Sequence, residues 1–404
     1  MLQTKKILLI VGLLAVAVLI GYGFYRLFQS TNPLQRGSAT SSSPTGTLPL
    51  AGDRPLTTST PSGATGLPTA NFIPSASGDN YYQTQPVNRL TNDYVTSPSL
   101  NNSGSVRYHN AADGKFYRIQ SDGTIKALSD QIFYNVKNVT WGKTKDIAVL
   151  EYPDNSKIVY NFETQKQVTL PKHWEEFSFS NDSEEIAAKS IGLSPENRWL
   201  VTVKNDGTGT KTIEPMGNNA DKVQIDWSPS RQVVAFSQTG QPLGAERREI
   251  LMVGLNGENF KSTVVEGVGF EPQWSPTGKK LLYSVYSSRS EYKPELWVVN
   301  AYGDEIGSNR QTLKINTWAH KCSFSDDSYL YCAVPKNLPS GAGMAPTLAD
   351  GVYDDLYRVD LRTGGRTPIN LGGDYQIKNI SFDNSGRKIL FTDKFQSGIF
   401  EVKL

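Results

Sequence analysis

The chain has 404 residues, 38% hydrophobic and 20% charged, with 3 His, 2 Cys and a formal charge of +2. That hydrophobic fraction excludes both a disordered chain and a polytopic membrane protein. So few His and Cys leave little for a zinc site or a Cys/His catalytic pair, and the near-zero charge excludes a generic polyanion binder.

Residues 7–25 run for 19 positions without a charge, and the first 14 of them (ILLIVGLLAVAVLI) are almost wholly aliphatic. At about 1.5 Å per residue such a run spans most of a bilayer core about 30 Å thick. Lys5 and Lys6 precede it, and Tyr22, Phe24 and Tyr25 close it where aromatic rings favour the interface. A cleaved signal peptide is the alternative, but the run is long for one and no clear small-x-small cleavage site follows. The reading is a retained signal-anchor over residues 1–29, with the N-terminus cytoplasmic and everything after it extracytoplasmic.

The segment 30–85 reads as a linker. From Gly37 to Gly78, 28 of 42 residues are Ser, Thr, Pro or Gly, too little apolar surface to offset the entropy of ordering. At about 5–6 Å times the square root of its length, it holds the next domain about 35–40 Å from the bilayer. Residues 1–54 contain five basic groups and one acid, so the remainder carries 36 basic and 38 acidic residues. A net of −2 gives no basic stripe for phosphate neutralisation, and nucleic acid is not an expected partner.

Residues 86–404 show short alternating runs broken by Gly, Asn, Asp and Pro, the pattern of an all-β domain. One phrase recurs. QIDWSPSRQVVAFS (224–237) and EPQWSPTGKKLLYS (271–284) are near copies, with weaker versions at 138–151, 176–188, 320–333 and 379–392. Each has an apolar strand ending in an aromatic, a polar turn and a second apolar strand. The aromatics Trp141, Phe179, Trp227, Trp274, Phe324 and Phe382 are separated by 38, 48, 47, 50 and 58 residues. Such periods belong to four-stranded propeller blades, each needing neighbours to cover its faces. Segments 115–125, 295–305 and 355–365 supply third strands.

WSPTG at 274–278 and WSPSR at 227–231, followed by LLYS or VVAFS, resemble the repeats of TolB-like, WD40-like β-propellers. The same repeat occurs in the propellers of dipeptidyl-peptidase-type enzymes. The resemblance spans about 86–404, with two repeats carrying the full motif. It implies that Ser-Pro-x-Gly forms the turn between the innermost and second strands, and that the aromatic packs between blades. Members of that family carry an amino-terminal α/β domain; here an apolar run and a linker stand in its place.

Six anchors are clear. A seventh blade is read from YVTSPS (94–99), with Ser97-Pro98 as its turn and Thr96 lying 45 residues before Trp141. The last unit ends in GIFEVKL without a fourth strand, which PVNRLT (86–91) would supply, closing the ring. Seven blades are expected, with six as the alternative.

Cys322 and Cys332 flank the hairpin SFSDDSYLY and fall opposite each other if its turn is centred on Asp327. An oxidising compartment favours a disulfide; otherwise they are two buried thiols. His109 is placed on an outer strand, His173 in a connection and His320 at the start of an inner strand, so no shared metal is expected. GLSPE at 192–196 lacks the last Gly of a nucleophile elbow. No catalytic, cofactor or metal residues are assigned.

Connections between second and third strands are long in three consecutive units, at 237–249, 284–295 and 333–355. Long connections over a rigid scaffold are where binding residues concentrate, though tolerated drift gives the same lengths. Arg247, Tyr286, Arg289, Tyr292, Met344 and Tyr353 on these loops include types enriched at interfaces. The expectation is a non-catalytic docking module for an envelope protein or cell-surface component. The alternative is a hydrolase or lyase acting on a carbohydrate or peptide in the central channel.

Overall fold

The computed structural model describes residues 84–101 and 104–404. The expected membrane helix and almost all of the expected linker lie outside the described residues. Among the described residues, no helix is long and apolar enough to cross a membrane.

The described chain forms seven antiparallel four-stranded sheets. Blades 1 to 6 occupy residues 95–127, 138–170, 174–215, 223–265, 268–312 and 322–369, each with its strands adjacent in chain order. The first strands of neighbouring blades lie against one another around the axis and are therefore innermost. Blade 7 takes three strands from 377–403 and its fourth from Val87–Thr91. The register is Val87↔Val402, Asn88↔Glu401 and Arg89↔Phe400. Seven blades with amino-to-carboxyl closure are what the repeat spacing and PVNRLT predict.

The core is not central. It is split into seven apolar wedges, one between each pair of neighbouring blades, and the aromatic anchors fill them. Trp227 is buried against Ala187 and Leu200 of blade 3. Trp274 stacks on Phe236 of blade 4 at 5.2 Å, and Phe382 on Tyr331 of blade 6 at 4.6 Å. Polar pins run alongside. The Trp227 and Phe382 backbone N–H groups donate to Ser178 Oγ at 3.0 Å and Ser323 Oγ at 2.9 Å, one blade back in each case. Between blades 1 and 2 the fully buried Arg107 lies 4.8 Å over the Trp141 ring. It donates to Gly142 O at 2.8 Å and Lys145 O at 2.6 Å. Burial, then repulsion from Arg118, lowers its pKa to about 10.

The motif turns follow one rule. Ser275 N–H donates to Lys280 O, Ser228 N–H to Val233 O and Ser180 N–H to Glu185 O. Gly278 supplies the left-handed residue of the blade 5 turn at φ 73°. In blade 4 the same place is taken by Arg231 at φ 65°, a conformation costly for a side-chain residue. An ion pair from Arg231 to Asp182 of blade 3, at 2.6 Å, helps hold it.

Two placements differ from expectation. In blade 1 the turn closes from Asn101 N–H to Ser105 O, so Leu100 stands at the anchor position and Ser97-Pro98 lies inside the strand. Ser97, at φ 48°, sits in a bulge between Thr96 and Ser99. Pro98 is tolerated because a bulge on an innermost strand spares its missing N–H. His109 lies on the second strand, Val106–Asn110, buried against Thr96 Oγ1 at 2.9 Å, and not on an outer strand.

If closure holds the ring together, deleting residues 84–91 will expose the blade 7 edge and the wedge behind it. We expect a lower urea midpoint and increased dye binding to exposed apolar surface. An unchanged midpoint would contradict the closure.

Candidate functional site

The connections that leave second strands and those that enter first strands emerge on one face of the ring. On that face, blades 5, 6, 7 and 1 enclose a cavity of about 820 Å³. Its wall is assembled from Tyr94–Thr96, from 318–321, from the 346–350 stretch of the long blade 6 connection, and from 376–378 and 392–398 of blade 7. Tyr94 and Phe395 stand at its rim, 68% and 65% exposed. Leu348, Met344 and Tyr353 are also exposed, from the blade 6 connection. Large apolar side chains left uncovered beside a concavity are the kind of surface at which interaction sites are looked for. Across the same face, between blades 2 and 4, lies a more polar hollow of about 430 Å³ lined by Glu176, Asp221 and Gln224 among others.

The charged groups of the cavity wall are mostly engaged. The buried Lys321 ammonium donates to Asp354 Oδ1 at 2.6 Å and Oδ2 at 2.8 Å. Asp354 Oδ2 also accepts the Ile377 N–H at 2.7 Å, tying blade 6 to blade 7. Burial pushes the Lys321 pKa down and the Asp354 pKa up, each toward its neutral form, while their mutual attraction opposes both shifts. Lys394 pairs with Asp350. Asp393 accepts N–H bonds from Gln376, Phe395 and Gln396 at 2.6, 2.8 and 2.8 Å, which shapes the connection carrying Phe395. Glu271 Oε1 lies 2.8 Å from the His320 backbone nitrogen and 2.7 Å from its Nδ1.

The residues picked from sequence sit on the same face but none lines the cavity. Arg247 Nε and Arg289 Nη2 both engage Glu266, at 3.1 and 3.3 Å, and Arg310 joins them at 2.9 Å. These arginines brace blades 4 and 5. Tyr286 is covered by Gly343, where a Cβ would fall 2.6 Å from the Tyr286 side chain. Gly343 N–H donates to Tyr292 O at 2.7 Å and Gly341 N–H to Glu291 O at 2.9 Å. The long blade 6 connection is thus fastened to the blade 5 turn. Met344 and Tyr353 remain exposed along its course, and Tyr292 on the blade 5 turn.

Cys322 and Cys332 face each other in register across the first two strands of blade 6, and their sulfurs are bonded. The three histidines lie in blade 1, before blade 3 and before the inner strand of blade 6. Just past the inner strand of blade 4, burial lifts the Asp226 pKa to about 6, opposed by Lys143 of blade 2. Sequence reasoning missed Tyr94, Trp318, Lys378 and Phe395. Tyr94 and Phe395 sit in short connections, and nothing in their local pattern distinguishes them from ordinary turn residues.

No family model matches the chain, and no curated protein does. Solved structures do. The β-propeller domain of Cps50 (Swd1) from Myceliophteria thermophila aligns with TM-score 0.51 and 12% identity over 78% of this chain and 98% of its own. An oligogalacturonate lyase in complex with manganese aligns with TM-score 0.54 and 13% identity over 79% and 93%. TolB from Acinetobacter baumannii aligns with TM-score 0.45 and 12% identity over 75% and 67%. At such identities the first two likenesses establish the propeller fold alone.

Removing one member of the buried pair should cost more than removing both. We expect Asp354→Asn to lose about 3–5 kcal/mol, because the Lys321 ammonium stays buried without a counter-charge. Lys321→Met combined with Asp354→Asn should lose less, as read by urea denaturation. Equal losses would show that the ion pair is not what the single substitution breaks.

Proposed function

We propose that this is a membrane-tethered, extracytoplasmic propeller that docks a protein of the cell envelope or cell surface, without catalysis. The observation that carries the reading is the cavity at the channel mouth, rimmed by exposed Tyr94 and Phe395 on a rigid closed ring. Aromatic and apolar anchors in a concave, pre-formed site are what protein recognition uses. The apolar run at 7–25 supports the membrane tether, and the linker composition supports a partner reached at some distance from the bilayer.

The second reading, a hydrolase or lyase working on a carbohydrate or peptide, draws on the His320–Glu271 pair beside the cavity. A carboxylate-held imidazole is a familiar proton acceptor. However, Glu271 also takes the His320 backbone nitrogen, and Glu176 of blade 3 takes the Ile225 nitrogen of blade 4 in the same way. A duty repeated between blades favours a structural role for Glu271, and docking is the better-supported reading.

Cross-linking mass spectrometry on native membranes tests it, comparing the wild type with a Tyr94→Ala, Phe395→Ala variant. Point variants are preferable to deleting 335–352, which would also remove the 346–350 wall. We expect one main partner, linked through lysines of blades 6 and 7 and lost in the variant. Cross-links spread over all blades and indifferent to the substitutions would contradict docking at this face.

A further inference from the structure

The inner strand of blade 7 holds one residue more than its partner. Ile377 pairs with Asp393 and Asn379 with Thr392, which leaves Lys378 over. A bulge of this kind re-aims its extra side chain. Lys378 is exposed and lines the cavity.

The same irregularity occurs in blade 3. There Glu175 pairs with Lys189 and Phe177 with Ala188, and the extra residue is Glu176. Its carboxylate is answered by Lys189 Nζ at 2.6 Å. By register, Asp393 stands in blade 7 where Lys189 stands in blade 3, so the two charges are exchanged between positions. Yet Lys378 and Asp393 do not pair, and the Asp393 oxygens take the three N–H groups of Gln376, Phe395 and Gln396 instead.

The Lys378 ammonium therefore has neither an ion pair nor a hydrogen bond among the described residues. The wall's other two cations are paired, Lys321 with Asp354 and Lys394 with Asp350, while the carboxylates of Glu271 and Asp393 take N–H donors. What the cavity offers is a hollow with aromatic rims and, of its three lysines, one ammonium that has no partner among the described residues. At the wall of a concavity such an ammonium is free to meet an anion carried in by a bound segment.

We propose that the cavity takes a protein segment in which an apolar or aromatic anchor lies beside a carboxylate, and that Lys378 recognises the carboxylate. The proposal rests on the docking reading above and adds the chemistry of the partner. A basic segment would meet an uncompensated ammonium, and a neutral one would leave it unanswered.

The test uses the full-length protein in detergent and two peptides, acetyl-Glu-Trp-Glu-amide and acetyl-Gln-Trp-Gln-amide, titrated by calorimetry at low salt. We expect the acidic peptide to bind about fivefold more tightly to the wild type. The preference should vanish in Lys378→Met, whose affinity for the neutral peptide should be unchanged. Equal binding of both peptides to the wild type, or a preference that survives Lys378→Met, would overturn the role of Lys378. If Phe395→Ala then weakens both peptides, docking itself still stands. If neither peptide binds, or if both bind regardless of Phe395→Ala, the docking reading falls with it.

Discussion

No blade of this protein can cover its own two faces, and the structure depends on that constraint. A four-stranded sheet packed on both sides needs a neighbour on each, so the apolar side chains collect in seven wedges rather than one core. The anchor aromatics fill these wedges. Losing one buried Trp typically costs about 3–5 kcal/mol, against a net stability of about 5–15 kcal/mol for a domain. A single anchor is thus a large fraction of what keeps the ring folded. The Trp227 N–H to Ser178 and Phe382 N–H to Ser323 hydrogen bonds pin neighbouring blades together beside these contacts. Strand Val87–Thr91 completes the arrangement by giving the last blade its outer edge.

A ring held in this way frees its connections from maintaining the fold. The long ones do not hang free, however. The blade 6 connection is hydrogen-bonded to the blade 5 turn through Gly341 and Gly343, and Glu266 gathers arginines from three segments of blades 4 and 5. Their exposed residues are presented on a braced surface. The cavity gains from this, since its 346–350 wall is also tied to blade 7, by Gln376 at Ala349 O and the Gly351 N–H and by Lys394 at Asp350. A preformed hollow of this kind costs an incoming group little reorganisation.

Much of this was legible in the sequence, for physical reasons. Wedge-filling requires a large ring at a fixed place in each unit, so Trp141, Phe179, Trp227, Trp274, Phe324 and Phe382 reveal the blades directly. Blade 1 misled, because Leu100 does the anchor's work without being aromatic, and the nearby Ser97-Pro98 imitates the turn motif while forming a bulge. The long connections were legible as lengths, since they interrupt the alternation. Their geometry was less so: nothing in the sequence shows that Arg247 and Arg289, picked as recognition residues, converge on Glu266 and brace blades 4 and 5. The cavity was the least visible feature. It joins Tyr94, at the start of the propeller, to Phe395, near its end, and the ring closure that brings them together leaves no local periodicity. Lys378 is similarly silent, because its meaning depends on what Asp393 does with its oxygens.

The most direct test of the central claim, that one face of the ring carries the recognition surface, is site-specific photo-crosslinking in intact cells. A photoreactive aromatic would replace Phe395 at the cavity rim or Asn181, an exposed residue of a turn on the opposite face. A discrete adduct from position 395 and none from position 181 is the predicted result. Adducts of equal yield from both positions, or from 181 alone, would contradict it.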